Sequence, residues 1–165
     1  MACLTDRSGM TSMMHMHHAS AVTPDQELAC ACTALRKASR AVTRLYDEMM
    51  DTTGMSIIQF SVLRNIARHE PLPLMQLAGL LVMDRTTLYR ALKPLEKNGW
   101  VAIGEGSGRA KSARLTGAGR KALAGATGRW RAAQSRFLGR IGSREWAGIE
   151  ASLARLVAVA DECSP

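Results

Sequence analysis

The stretch from Leu74 to Ile103 leaves little freedom in how it can fold. A short apolar segment (Leu74, Leu77, Ala78, Leu81) reaches a break at Val82 and Met83. Asp84 then stands where its carboxylate can accept from the free amides of a new helix's first turn. Beyond it Leu88, Leu92 and Leu95 recur at helical spacing and define one buried stripe. Arg85, Thr86, Tyr89, Arg90 and Lys93 occupy the opposite side, all able to donate hydrogen bonds and three of them cationic. Asn98-Gly99 ends the helix, glycine suiting the left-handed residue just past a C-terminus. Two helices joined by a tight turn, the second with a cationic outer face, form the layout that enters a DNA major groove. An ordinary helical hairpin with a solvated basic face is the other reading of the same charges.

The next residues of the chain favour the first reading. Val101 to Ile103 and Ala113 to Leu115 are short strand candidates around a Gly-rich tip, a hairpin directly after the basic helix. Arg109, Lys111 and Arg114 lie on its tip and second arm with a single acid, Glu105, so it suits phosphate or minor-groove contacts. From Arg85 to Lys121 there are nine basic and two acidic residues, a local net charge of +7 in a chain whose whole formal charge is +8. The excess is therefore concentrated in one place, as a polyanion binder requires. A membrane-surface role would call for one continuous basic amphipathic helix, which is not present.

The remaining chain reads as helices around this centre. Met1 to about Pro24 has tail composition; its His15, His17 and His18 could bind a transition metal, although short histidine clusters usually do nothing specific. Asp25 to Asp51 carries the stripe Leu28, Cys32, Leu35, Ser39, Val42, Tyr46 and Met49, at alternating steps of four and three. Ser56 is placed to cap a second helix, Ile57 to His69, with Phe60, Leu63 and Ala67 facing inward. Glu70 to Pro73 is an extended link able to add an edge strand to the hairpin. Thr116 is placed to cap a helix that runs through Trp130 and Phe137 towards Gly139. Gly119, Gly125 and Gly128 weaken that helix by about 1 kcal/mol each relative to alanine, so it should rely on packing, which a dimer interface would supply. Ser143 is expected to cap a last helix with Trp146, Ile149, Leu153, Leu156, Val157 and Ala160 on its apolar side. Pro94 is read as mid-helix, where it removes a hydrogen bond and should kink or loosen the turn before it.

Three groups of residues carry a family resemblance. They are Met83-Asp84-Arg85-Thr86-Thr87-Leu88; then Leu92, Leu95-Glu96 and Gly99-Trp100-Val101; then Arg114-Leu115-Thr116 and Gly119-Arg120. In order and spacing they resemble the multiple-antibiotic-resistance regulator (MarR) family, and the likeness extends more loosely from Gln26 to about Glu162. The resemblance implies a mainly α fold with a small β-wing, a winged helix-turn-helix plus a helical dimerisation region. It also implies a homodimer, usually a repressor, on a near-palindromic double-stranded DNA operator. The expected organisation is a tail over 1–24 and one domain over 25–162. Within it, 25–51 and 116–162 would be dimerisation helices and 55–115 the winged helix-turn-helix. Arg85, Thr86, Tyr89, Arg90 and Lys93 would face DNA, with Arg109, Lys111 and Arg114 on the wing. Where family wings often carry an Asp two positions before an Arg, Ser107 stands before Arg109.

Family members often release DNA when a small aromatic or phenolic ligand binds between the dimer helices and the reading head. Arg36, Arg40, Tyr46 and Trp130 are the candidates to line such a pocket here. Cys32, followed fourteen residues later by Tyr46, is similar to the first helix of the organic-hydroperoxide-sensing branch, although Arg36 stands where that branch has a second tyrosine. This makes Cys32 a redox candidate beside its alternative as a packing residue.

Other functions find less support. There is no Gly-rich phosphate loop, no His pair at metal-binding helical spacing and no nucleophile elbow, so the chain is not expected to be an enzyme. His69 is the sole histidine outside the tail. Cys3, Cys30, Cys32 and Cys163 lack zinc-type pairing, and no metal or cofactor is expected. No apolar run reaches the length of a membrane span and no signal-peptide core is present, so a reducing cytoplasm is the natural setting. A winged helix used only for protein-protein contact is the remaining rival.

Overall fold

A computed structural model of the chain describes residues 30–106 and 110–163. The chain divides between Arg36 and Lys37 into two units. Helix α1 (Ala31–Met50) begins in the first, and a single 3-10 turn (Asp51–Thr53) follows it. Then come α2 (Ile57–His69), β1 (Leu72–Pro73), α3 (Leu74–Leu80) and α4 (Arg85–Lys97). Strands β2 (Val101–Glu105) and β3 (Lys111–Leu115) precede α5 (Gly117–Ile141) and α6 (Ser143–Glu162).

Local chemistry sets three of the helix starts. Ser56 Oγ accepts the Gln59 N–H at 3.3 Å, and the Gln59 side chain accepts the Ser56 N–H at 3.0 Å, a reciprocal capping box that begins α2. Asp84 begins α4 by accepting the Thr87 N–H at 2.8 Å, and Thr116 begins α5 by accepting the Gly119 N–H at 3.0 Å. Asn98 and Gly99 end α4, with Gly99 at φ +68°. The turn between α3 and α4 puts Val82 at φ +51°, unusual for a β-branched residue. It is closed by Met83 N–H donating to the Ala78 carbonyl at 2.9 Å.

β1, β3 and β2 form one antiparallel sheet in that order, with Leu72 opposite Ala113 and Val101 opposite Leu115. The link after His69 therefore does add an edge strand, and Pro73 is tolerated there because an edge residue needs no second partner. Leu63 and Ile66 of α2, Leu77 of α3, and Leu88, Leu92 and Leu95 of α4 close a core beneath Leu72, Val101 and Ala113. The stripe expected on α4 is thus the floor on which the basic face stands.

Several expectations need correction. Of the stripe expected on the first helix, Tyr46 is buried, while Cys32, Leu35 and Ser39 are exposed. Helical periodicity marks that face as apolar without saying that this chain covers it. Ala67 is exposed, and Val62 and Ile66 supply the inward contacts beside Phe60 and Leu63. Pro94 falls not at the middle of α4 but in its last turn, where one missing N–H interrupts little. Ser143 caps nothing: Gly142, at φ +92°, stands at the cap position of α6 with no side-chain hydrogen bond. Gly119 packs within the chain. A Cβ there would lie 2.0 Å from the Trp100 carbonyl oxygen, whereas Gly125 and Gly128 face open space.

Candidate nucleic-acid interface

Helix α4 buries Leu88, Leu92 and Leu95 completely or nearly so. This locks its rotation and turns Arg85, Thr86, Arg90 and Lys93 outward, all exposed, with Tyr89 half-buried between them. These five side chains surround one shallow, open depression of about 470 Å³. The Arg85 guanidinium sits 5.7 Å from the centre of the Tyr89 ring, an arrangement in which the ring face attracts the cation. Asp84 accepts hydrogen bonds from both the hydroxyl and the N–H of Thr87, which hold its carboxyl below the ordinary aspartate range. The cap is therefore ionised at neutral pH, when a negative charge at the helix start is most favourable.

The wing meets this helix at its beginning. Lys111 of β3 lines a groove with Arg85 and Tyr89 of α4 and with Met75 of α3. Met75 is 66% exposed, an apolar element of the cationic surface that sequence reasoning missed. Arg114 is also exposed on β3. Arg109 lies outside the described residues, as do Ser107, Cys3 and the histidines of the tail.

The chain has a second concavity. A cavity of about 380 Å³ lies among α1, α2 and α5, and of the four effector candidates it holds Tyr46 and Trp130. Arg36 and Arg40 are exposed residues of α1. In their place two arginines of α2 line it, Arg64 and Arg68, one helical turn apart. The Arg64 guanidinium stacks 4.0 Å from the centre of the Trp130 ring, and Phe60 stacks on the same ring at 5.4 Å. Burial lowers the Arg64 pKa first, and repulsion from Arg68 and Arg131 lowers it further. None of the residues lining the cavity is acidic. The Tyr46 hydroxyl donates to Gln134 Oε1 at 2.5 Å, and its burial raises the phenol pKa. Among the described residues no group of three His, Cys, Asp or Glu gathers into a cation site. No described helix is long and apolar enough to cross a membrane.

Helices α2 to α4 with the three-stranded sheet form a winged helix-turn-helix head, and long helices flank it in the chain. The MarR family model matches residues 55–102, the span from the start of α2 to the first residues of the wing. A solved structure of the M. tuberculosis transcriptional regulator MosR in complex with DNA is 30% identical, with a TM-score of 0.76, and the match covers 83% of this chain and all of that one. The chain belongs to the MarR family. A second MosR structure gives 32% identity and a TM-score of 0.71, covering 81% of this chain and 97% of that chain. A probable transcriptional regulator from Pseudomonas aeruginosa gives 25% identity and a TM-score of 0.68, with 76% and 96% covered. No curated protein matches the sequence. Within the MarR fold, the five positions of α4 and Lys111 of β3 gather on one surface and Tyr46 and Trp130 line the cavity, while Cys32, Arg36, Arg40 and Arg114 belong to neither lining.

Proposed function

We propose that this MarR-family protein is a homodimeric DNA-binding transcriptional regulator, a repressor that leaves a near-palindromic operator when an effector acts on it. The observation that carries the reading is the single cationic surface made by Arg85, Arg90 and Lys93 with Lys111 beside them. A relative at 30% identity is known in complex with DNA, which supports it. Two such helices related by a twofold axis would enter successive major grooves, about 34–36 Å apart. Pairing is supported by α6, on which no residue is buried and Leu153, Leu156 and Val157 are each more than 40% exposed. Recovery of bound fragments from genomic DNA, followed by gel retardation with a scrambled duplex as control, tests the reading. A specific retarded band is expected; equal retardation of both duplexes, or of neither, would return the winged helix to a role in protein-protein contact.

The cavity behind the head favours a small-molecule effector over oxidation. Stacked Trp130 and Phe60, with Arg64 and Arg68 facing no acid of the lining, suit a planar aromatic anion. Such a ligand should release the DNA, and Arg64→Ala should raise the ligand concentration needed at least tenfold while leaving DNA affinity unchanged. The thiol-sensor reading keeps a different test. Cys32 is exposed near the start of α1, and Cys30 beside it is held below the ordinary thiol range by hydrogen bonds from Thr33. Stoichiometric organic hydroperoxide should then release wild type and leave Cys32→Ser bound. Equal release of the two would remove Cys32 as a sensor.

A further inference from the structure

Strand β1 is two residues long, and its register sets Leu72 opposite Ala113 and Pro73 opposite Ser112. Extended backwards by two steps, that register brings Glu70 opposite Leu115, the last residue of β3. The pairing there is made by a side chain. Glu70 Oε2 accepts the Leu115 N–H at 2.9 Å, while Oε1 takes the Arg120 guanidinium. Arg120 donates its other terminal nitrogen to the Leu115 carbonyl at 3.3 Å. Both backbone polar groups of Leu115 are thus held by two side chains fifty residues apart, one leaving α2 and the other in the first turn of α5.

We propose that Glu70 and Arg120 form a positioning clasp that sets the wing against the DNA-reading helix. The clasp's role rests on the proposed binding of DNA by this head. Leu115 follows Arg114 directly and shares its strand with Lys111, so the clasp holds the end of the strand that carries the wing's cations. It also joins that strand to the start of α5, close to the Thr116 cap. Nothing else among the described ion pairs ties α2 to α5. Glu70 is a negative charge amid Arg114 and Arg120, where its field alone opposes binding to a polyanion. Its geometry and its charge therefore act in opposite directions, and a neutral variant separates them.

The experiment uses a duplex selected by the full-length protein from a random library. Glu70→Gln still carries a carbonyl oxygen but loses the charged pair with Arg120 that holds it against the Leu115 N–H. By field alone it would bind the duplex more tightly and with a steeper salt dependence. The clasp predicts the reverse: affinity about tenfold weaker, a salt slope shallower by about one to two units as wing contacts are lost, and unchanged base preference. Glu70→Ala should lose more, and if it fails to fold, Glu70→Gln alone decides. Amide exchange at Leu115 gives a readout independent of DNA and should accelerate at least tenfold in Glu70→Gln. Affinity equal to or above wild type, with unchanged Leu115 exchange, overturns the clasp. A wild-type protein that selects no duplex would instead overturn the DNA-binding reading, and Leu115 exchange would then decide the clasp by itself.

Discussion

The winged head and the terminal helix α6 are both rich in leucine and valine, yet they end in opposite states. In the head, Leu63, Ile66, Leu77, Leu92 and Leu95 are wholly buried, and its core closes within one chain. In α6 nothing is buried, and Ile149, Leu153, Leu156 and Val157 recur at helical spacing with 36–46% of their surface exposed. One end of α6 is anchored, with the Trp146 ring edge-on to Phe137 of α5 at 5.9 Å. The contrast teaches that an apolar stripe states a demand for cover without naming its source. The head meets the demand from its own strands and helices. The terminal helix does not, and a second copy is the cover that our proposed function supplies.

The sharpest way to break this contrast is Leu153→Arg. It places an unpaired charge on the face that a partner would bury. We expect a monomer or an aggregate by sedimentation and complete loss of operator binding. A soluble dimer with normal affinity would mean that another surface pairs. Leu92→Ala probes the opposite region and should cost about 2–5 kcal/mol in denaturant unfolding, the range for emptying a fully packed leucine site. That cost should not depend on protein concentration, whereas stability linked to α6 should.

At the head's surface, Arg90→Ala should weaken binding by about 1–3 kcal/mol and relax specificity at one base pair if the guanidinium reads a guanine edge. Lys93→Ala should reduce the salt slope by about one unit across all sequences, as loss of a phosphate contact does. Unchanged affinity in both variants would remove α4 as the reading element. The smallest expected effect is on pH dependence. Arg120 first, then the Leu115 N–H, hold the Glu70 carboxyl below the ordinary glutamate range, and Thr87 does the same for Asp84. Depressed carboxyls stabilise the fold fully above their ordinary range, and that contribution fades as pH falls through the lowered values. Melting temperature followed from about pH 5 down to about pH 2 should therefore drop less steeply in Glu70→Gln than in wild type.

The sequence makes legible what is local. Ser56, Asp84 and Thr116 each cap a helix through a residue three positions on, so spacing alone exposes them. Leu88, Leu92 and Leu95 likewise determine which side of α4 faces outward. The cavity is half legible: Tyr46 and Trp130 stand out as aromatics in a chain with few. Arg64 acquires its meaning only by stacking on a ring sixty-six positions away. Arg120 stands out only as part of the family resemblance and Glu70 not at all, because nothing in a linear pattern pairs a residue before a proline with one fifty positions on. Ser143 misleads because it is a good cap residue one position too late, after a glycine that already turns the chain.

The close approach of Gly119 to the Trp100 carbonyl has a mechanical consequence. Trp100 lies just past the end of α4, and the same carbonyl also accepts the Thr116 N–H at 3.0 Å. The two form a joint with no room for a methyl group, and α5 extends from it for 25 residues. At 1.5 Å per residue that helix is a rod of about 37 Å. A tilt of about 5° at the joint carries its far end through about 3 Å, comparable to the rise of one base pair. Position 119 thus works as a fulcrum: a glycine limits the error in where the longest described helix points.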